Sequence, residues 1–291
     1  MKILITGANG QLGNEMRLIA ANRSVSDEWV FTDVAELDIC NPDAIERMVA
    51  DNAIEAIVNC AAFTNVNGAE TNVELCTKLN SVAPGYLATV AQRHGCRFIH
   101  ISTDYVFDGN HFLPYREDDV PCPDSVYGRT KLEGERNVIS QCPDAVIIRT
   151  AWLYSSFGNN FVKTMIRLGQ EKESLGVVFD QIGTPTYARD LALAVNTVLH
   201  SAKWTPGIYH YTNEGVTSWY DFTLAIMSCA GVTGCNVNPL HTEEYPTPAR
   251  RPHYSVLDKA KIKDTYGVSV PHWMDSLKEC VEMLNKQAEN N

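Results

Sequence analysis

The amino-acid sequence predicts an α/β fold in which a doubly wound parallel sheet is joined to a smaller mixed α/β domain. Apolar runs typical of strands alternate with amphipathic helical stretches through the first 150 residues. Alternation of this kind produces βαβ units, whose strands pair in parallel and carry helices on both faces. A glycine-rich turn directly after the first run and a change of rhythm after residue 150 support the same architecture.

The first half of the chain contains the strands of the main sheet. They are predicted at residues 2–6, 29–32, 56–58, 98–102 and 146–149. A helix is predicted over residues 43–51, because Asn41 is a good capping residue and Pro42 fits the first helical position.

The second half has a different order of elements. Helices are predicted at residues 160–170, 188–200, 218–230 and 273–286, and strands at 175–179 and 207–211. We therefore assign residues 1–150 to a first domain and residues 151–291 mainly to a second, smaller domain that is interleaved with it. We expect the tail, residues 285–291, to be frayed.

Composition excludes several classes of protein. A hydrophobic share of 45% and a charged share of 20% are ordinary for a globular chain with a large core. The net charge of -11 without a basic patch argues against nucleic-acid binding. No apolar run reaches the ~20 residues that a membrane span needs. Nine cysteines are scattered singly, which predicts neither a zinc site nor disulfides and favours the reducing cytoplasm.

The glycine-rich turn predicts a dinucleotide site in the first domain. Its residues are Gly7, Ala8, Asn9, Gly10, Gln11, Leu12 and Gly13, between the first strand and the first helix. Glycines in this position allow close approach of a pyrophosphate to the free N–H groups of the helix. An ordinary tight turn is the alternative. The position at the first strand end favours NAD(P) binding and a Rossmann fold.

Asp33 bears on which cofactor is used. It ends the second strand, twenty residues beyond Gly13. A carboxylate there accepts hydrogen bonds from the adenosine ribose and repels a 2′-phosphate, which favours NAD over NADP. A solvated loop aspartate is the alternative, and the nearby Arg17 leaves NADPH open.

Tyr127 and Lys131 are the candidate catalytic pair. Four residues apart on a helix, they project from the same face. Reduction of a ketone needs a proton at the oxygen, and a nearby cation lowers the pKa of a tyrosine that donates it. The spacing alone is common by chance, but Ser102 and Thr103 end the preceding strand at the same edge of the sheet. Either hydroxyl could bind the substrate oxygen, and we favour Thr103.

These features together resemble the extended short-chain dehydrogenase/reductase family, whose members act mostly on nucleotide-activated sugars. The motifs GANGQLG, STDYVFDG, YGRTKLEGE, RTAWLYSSFGNNFVKTM, DQIGTPT and YPTPARRP are similar to the branch that reduces dTDP-4-dehydrorhamnose. The resemblance implies hydride transfer from NADPH or NADH to C4 of dTDP-4-dehydro-β-L-rhamnose, which yields dTDP-L-rhamnose for cell-surface polysaccharide. Tyr127 would donate the proton, Lys131 would hold the nicotinamide ribose, and Thr103 would be the third catalytic member.

The resemblance also implies further binding residues. Asp38, Ile39, Ala62, Phe63 and Thr64 would line the adenine and ribose. On the substrate side would lie Thr103, Asp104, Trp152, Arg250 and Arg251, with Trp152 against the sugar nucleotide and the arginines at its diphosphate. A core role for Trp152 and a solvated role for the arginines are equally open.

Alternatives within the same fold also remain open. Dehydratases of the superfamily resemble one another in carrying Thr-Asp-Glu at the strand end, whereas this chain has Thr103-Asp104-Tyr105, which favours reduction. Epimerases are not excluded. The regulatory subunit of methionine adenosyltransferase resembles the same fold without acting mainly as an enzyme.

Metal and assembly are also left open. Some relatives bind magnesium through acidic residues at a dimer contact, and Glu15 matches one such position. We assign no metal ligand and predict no catalytic metal, and a homodimer stays open.

Tyr254 replaces a usual asparagine of the family, which changes the expected substrate contacts.

Overall fold

Twelve strands and eleven α-helices form within the residues that the computed structural model describes, 1–21 and 27–289. The strands are β1 (Lys2–Thr6), β2 (Glu28–Thr32), β3 (Ala56–Asn59), β4 (Arg97–Thr103), β5 (Val146–Thr150), β6 (Leu153–Tyr154), β7 (Ser174–Val178), β8 (Ile182–Gly183), β9 (Thr186–Tyr187), β10 (Gly207–His210), β11 (Thr217–Ser218) and β12 (Asn236–Leu240). The helices are α1 (Gln11–Ala20), α2 (Pro42–Asp51), α3 (Val66–Ala69), α4 (Val73–Thr77), α5 (Ala83–His94), α6 (Val126–Gln141), α7 (Phe161–Glu171), α8 (Ala188–Leu199), α9 (Trp219–Cys229), α10 (Ala260–Tyr266) and α11 (Trp273–Glu289).

Six strands form one parallel sheet in the order β10-β5-β4-β3-β1-β2. Strand β1 pairs with β2 on one side and with β3 on the other. The order of the strands therefore reverses between β1 and β3. In parallel sheets of this kind, a crevice for ligands forms at that point, beyond the carboxyl ends of the strands.

The strands are apolar on both faces, which explains the two helical layers. Ile3 and Ile5 of β1 pack into one cluster with residues of α1 and α8. Leu4, which points to the opposite face, packs into a second cluster with residues of α2 and α5. Each layer thereby removes one face of the sheet from water.

A separate apolar cluster holds the C-terminal elements together. It combines β7 and β12, which pair in parallel, with side chains from α7, α9 and α11. Phe222 and Trp273 meet edge to face in this cluster, with ring centroids 5.7 Å apart. Among the described residues, no helix is long and apolar enough to cross a membrane.

The structure confirms the predicted parallel sheet and the predicted elements, with ends that differ by up to three residues. One element lies in an unexpected place: β10, from the second half of the sequence, pairs with β5 and extends the main sheet. The division at residue 150 stays a prediction. The expected fraying is wrong for residues 285–289, which continue α11, and residues 290–291 lie outside the described part of the chain.

A buried ion pair ties α6 to the main sheet. Arg149 of β5 donates from Nε and Nη2 to the two carboxylate oxygens of Glu135, at 2.8 and 2.7 Å. Both side chains are almost wholly buried. Ser102 of β4 donates a third hydrogen bond to Glu135, at 2.5 Å. The carboxylate therefore links two strands to the helix that carries the candidate catalytic pair.

Loss of one partner from this pair should strongly destabilise the fold. In Glu135→Leu, the Arg149 guanidinium would remain buried without its carboxylate, and we expect a loss of about 3–5 kcal/mol in the free energy of unfolding. Urea denaturation measures the change. Arg167→Ala removes an exposed ion pair with Glu171 and serves as the control, with an expected loss below about 1 kcal/mol. Similar losses in the two variants would contradict the prediction.

Candidate active site

A cavity of about 860 Å³ opens beyond the carboxyl ends of β1, β3, β4 and β5. Its position is the point where the strand order reverses, as the topology requires. A volume of this size lies within the range typical of cofactor and ligand sites. Its wall is formed by the glycine turn, the strand ends and one face of α6.

The glycine turn has a shape that only glycine permits. Gly7 has a φ of +66°, and a Cβ atom there would lie 2.7 Å from the Cα of Ala61. A Cβ at Gly13 would lie 2.5 Å from the Cα of Ala8. Gly10 caps α1 without a side-chain hydrogen bond, so the first N–H groups of the helix are left for a ligand. These features fit a bound pyrophosphate.

Most of the predicted cofactor residues meet in this cavity. Its wall includes Gly7, Gly10, Gln11, Leu12, Gly13, Asp33, Asp38, Ile39, Ala62 and Thr64. Phe63 is not part of the wall. The Asn80 amide accepts from the Phe63 N–H at 2.8 Å and donates to its carbonyl at 3.0 Å, and the ring packs against a neighbouring apolar cluster. The expected contact of Phe63 with the adenosine therefore has no support in the geometry.

Asp33 has two roles in the structure. It lies in the cavity wall, and its carboxylate accepts hydrogen bonds from the N–H groups of Asn9 and Val34, at 3.0 and 2.9 Å. Arg17 stacks over Phe31 with its guanidinium carbon 4.4 Å from the ring centroid. The Asp33 carboxylate thus braces the glycine turn, and its charge faces the ligand cavity.

Three polar atoms in the cavity wall are buried without a hydrogen-bond partner among the described residues. They are Oε1 of Gln11, Oδ2 of Asp104 and Oγ1 of Thr150. Buried polar atoms are nearly always paired, so such atoms indicate groups that a ligand would satisfy. Together with the glycine turn, they show that the residues present fit a dinucleotide and a polar substrate.

Tyr127 and Lys131 both face the cavity from α6. The helix begins there because Ser125 accepts a hydrogen bond from the N–H of Gly128, at 3.1 Å. Burial raises the pKa of Tyr127 above its usual range, against the opposing effect of a hydrogen bond with Thr103. The phenol therefore keeps its proton at neutral pH, as a proton donor must.

Lys131 is buried, and its Nζ donates to the carbonyl of Ile101 at 2.6 Å. Burial lowers the pKa of Lys131 to about 8, while the charge of Glu135 acts in the opposite direction. The amine therefore remains mostly protonated at neutral pH. Lys131 makes no direct ion pair with Glu135 among the described residues, because that carboxylate is bonded to Arg149.

The structure separates the two hydroxyls at the end of β4. Ser102 gives its proton to the buried Glu135. Thr103 donates to Asp104 at 2.9 Å, and its hydroxyl lies near enough to the Tyr127 phenol to act on the pKa of that group. Burial raises the pKa of Asp104 to about 6, against the hydrogen bond from Thr103. The geometry thus favours Thr103, the hydroxyl favoured from the sequence, over Ser102.

The far wall of the cavity contains two stacked tryptophans. The rings of Trp152 and Trp219 are nearly parallel, with centroids 3.5 Å apart, and both line the cavity. Trp152 has a φ of +48°, in the left-handed region that non-glycine residues rarely adopt. Trp152 is thus a wall residue. The sequence around Trp219 predicts no cavity role for it, because nothing local distinguishes this residue from a core aromatic.

The two candidate arginines lie in different places. Arg251 lines the cavity, donating to the hydroxyl of Tyr105 at 2.7 Å and to the side chain of Asn67 at 3.0 Å. Arg250 is absent from the cavity wall. It is largely exposed and pairs with Asp124 at 2.7 Å. The geometry therefore supports a ligand contact for Arg251 and gives none for Arg250.

The residues around Glu15 do not form a recognisable cation site. Glu15 is buried, accepts a hydrogen bond from Ser155 at 2.5 Å and lies outside the cavity wall. Burial raises the pKa of Glu15. Within residues 1–21 and 27–289, the one cluster with suitable ligand atoms is Asp180, His241 and Glu243, which does not include it. No step of the chemistry is assigned to a metal.

One family model and several named proteins match nearly the whole chain. A family model described as the RmlD substrate binding domain matches residues 1–286. The chain is similar to a dTDP-4-dehydrorhamnose reductase of Aggregatibacter actinomycetemcomitans, at 40% identity over 95% of this chain and 97% of that protein.

Two solved structures are similar along nearly their whole length. One is a dTDP-4-dehydrorhamnose reductase of Clostridium acetobutylicum, with 44% identity, a TM-score of 0.94 and coverage of 98% of this chain and 100% of that chain. The other is the Bacillus anthracis dTDP-4-dehydrorhamnose reductase in complex with NADP, with 37% identity, a TM-score of 0.92 and coverage of 97% and 99%.

Gly13→Ala tests the cofactor site. The added methyl would collide with the backbone of Ala8 and Gly7 and would push α1 away from the turn. We expect NADPH to bind at least about tenfold more weakly, a cost of ~1.4 kcal/mol. Fluorescence titration measures the affinity. Gly234→Ala, where nothing lies within 4 Å of the added atom, is the control. Equal affinity in the two variants would refute the assignment.

Proposed function

The chain belongs to the RmlD substrate binding domain family, and from this premise we propose that it reduces dTDP-4-dehydro-β-L-rhamnose to dTDP-L-rhamnose with NADPH or NADH. The observation that carries the proposal is the meeting of Tyr127, Lys131 and Thr103 with the glycine turn in one cavity. A proton donor, a cation and a strand-end hydroxyl are what reduction of a ketone needs beside a dinucleotide.

Each residue has a chemical task in the reduction. When bound, the reduced nicotinamide supplies the hydride for C4 of the keto sugar. Tyr127 delivers the proton to the C4 oxygen, and the nearby Thr103 hydroxyl, which acts on the pKa of the phenol, orients it. The Lys131 ammonium stabilises the phenolate that remains after proton transfer.

Dehydration is disfavoured at residue 105. Where the dehydratases carry a glutamate that serves as the base, this chain has Tyr105. Its ring packs edge to face on Tyr127, with ring centroids 5.5 Å apart. Its hydroxyl accepts a hydrogen bond from Arg251, and burial raises its pKa. A protonated phenol cannot abstract the proton that an elimination must remove.

Partners and location follow from the same assignment. The substrate is a small nucleotide sugar, and a cavity wall that combines stacked aromatic rings with unpaired polar atoms supports that class. All nine cysteines are free, which supports a reducing cytoplasm. A homodimer stays a prediction, and so does a substrate contact for Arg250.

The decisive assay uses the purified chain with dTDP-4-dehydro-β-L-rhamnose and either NADPH or NADH. We expect consumption of the reduced cofactor, followed by its absorbance, and formation of dTDP-L-rhamnose. Absence of turnover with both cofactors would refute the reductase and favour a non-catalytic role such as that of a regulatory subunit. Isomerisation without net consumption of cofactor would favour an epimerase.

Tyr127→Phe tests the proton donor in that assay. Removal of the hydroxyl leaves the ring in place, so kcat should fall by about 10²- to 10⁴-fold while the Kd of NADPH changes little. Tyr209→Phe removes a hydroxyl that donates to the carbonyl of Thr205, outside the cavity wall, and should leave kcat unchanged. Wild-type turnover by Tyr127→Phe would contradict the assignment.

Asp33→Asn tests the cofactor preference. The amide oxygen can still accept from the N–H of Asn9, but the charge that repels a 2′-phosphate is lost. We expect the ratio of kcat/KM for NADPH to that for NADH to rise about tenfold, equivalent to ~1.4 kcal/mol. Glu36→Gln removes a nearby charge outside the cavity wall as a control. An unchanged ratio in Asp33→Asn would exclude this residue as a determinant.

A further inference from the structure

A chain of buried polar side chains runs beneath Lys131, outside the cavity wall. The Thr6 hydroxyl donates to Oδ1 of Asn59 at 2.7 Å, and Nδ2 of Asn59 lies 3.0 Å from Nδ1 of His100. Nε2 of His100 lies 3.5 Å from Nζ of Lys131. All four residues are buried, and three neighbouring strands, β1, β3 and β4, contribute to the chain. The reaction as described above makes no use of it.

The hydrogen bonds determine where the His100 proton lies. Oδ1 of Asn59 also accepts from the N–H of Ala61 at 3.2 Å, a donor that cannot be reversed. The amide orientation is therefore fixed, and its nitrogen must donate to Nδ1 of His100. Nδ1 is thus an acceptor, and the imidazole carries its proton on Nε2, toward Lys131. Burial lowers the pKa of His100 well below its usual range, and the charge of Lys131 adds to this, so the ring is neutral.

An N–H group that faces Lys131 opposes the charged form of its amine. An ammonium only donates hydrogen bonds, whereas the neutral amine also accepts one. Ile101 supplies a carbonyl for one N–H of the amine. The other titratable groups that act on Lys131 are Glu135 on the same helix and Cys76 on α4. His100 is therefore the group on the sheet side that favours the neutral amine.

We propose that His100 is a positioning residue which, through its Nε2–H, governs how readily the Lys131 amine holds a proton during turnover. The inference rests on the proposed reduction, because it concerns the cation that stabilises the Tyr127 phenolate. At high pH the Lys131 amine loses its proton, so the cation is lost and kcat should fall. This fall is the alkaline limb of the profile of kcat against pH. The buried chain thus adjusts the upper end of the working pH range.

Two substitutions separate this role from the filling of space. His100→Leu removes the N–H that disfavours the protonated form of Lys131. The amine should therefore keep its proton to a higher pH, and the alkaline limb should move upward by about half to one pH unit. His100→Gln can accept from Asn59 and still present an N–H to Nζ, so its limb should stay with the wild type. A purely structural histidine would show neither shift nor rescue.

His210→Leu is the matched control. His210 is equally buried in the same sheet, but its nitrogens lie beside Tyr115 and Arg149 and not beside Lys131. Its alkaline limb should remain at the wild-type pH. Provided that the wild-type protein turns over, two results would overturn the inference. One is an alkaline limb that stays in place in His100→Leu, and the other is a shift in His100→Gln as large as that in His100→Leu. Absence of wild-type turnover would instead refute the proposed function.

A measurement on the wild-type protein does not depend on activity or on the folding of variants. Nitrogen NMR of protein labelled in its histidines reports the tautomer of each ring. We expect His100 to be neutral near pH 7 with its proton on Nε2, and its Nε2 signal to shift as Lys131 loses its charge. A proton on Nδ1, a charged ring, or no response of the signal would overturn the inference.

Discussion

The parallel pairing of the central strands is the constraint on which the rest of the site depends. Because β1, β3, β4 and β5 all run in one direction, their carboxyl ends lie along one edge of the sheet. The strand order reverses between β1 and β3, which opens the crevice there. Thr103 and the glycine turn, about a hundred residues apart in sequence, meet for this reason. The topology therefore determines where the site lies, and the side chains at the strand ends determine what it can do.

The buried pair of Glu135 and Arg149 connects that topology to α6, the helix that carries Tyr127 and Lys131. It binds α6 to β5 directly and to β4 through Ser102. A buried ion pair contributes little net stability by itself, but removal of one partner is costly, so such a pair fixes one arrangement of the elements. It also explains why the adjacent hydroxyls of Ser102 and Thr103 have different partners. The proton of Ser102 is held by a carboxylate behind the cavity, whereas Thr103 remains beside Tyr127.

The sequence predicts the features that local rules determine. A few residues suffice to recognise a strand, the glycine turn, or the spacing of Tyr127 and Lys131. The parallel sheet then brings these features together. Phe63 could not be placed in this way, because Asn80, on another segment, fixes its backbone. Arg250 and Arg251 are neighbours in sequence, yet their separate partners send one to Asp124 and the other to the cavity. Such outcomes depend on tertiary packing.

The aromatic part of the cavity wall shows why both halves of the chain are needed. Trp152 follows β5, and its left-handed backbone is a conformation that the surrounding structure must hold in place. Trp219, from the start of α9 in the C-terminal half, stacks on its ring and is itself supported by Phe161, with centroids 4.4 Å apart. The C-terminal cluster thus provides the support for the aromatic part of the cavity wall. A change of packing in that cluster would move this part of the wall without contact with Tyr127, Lys131 or Thr103, the residues of the proposed proton transfer.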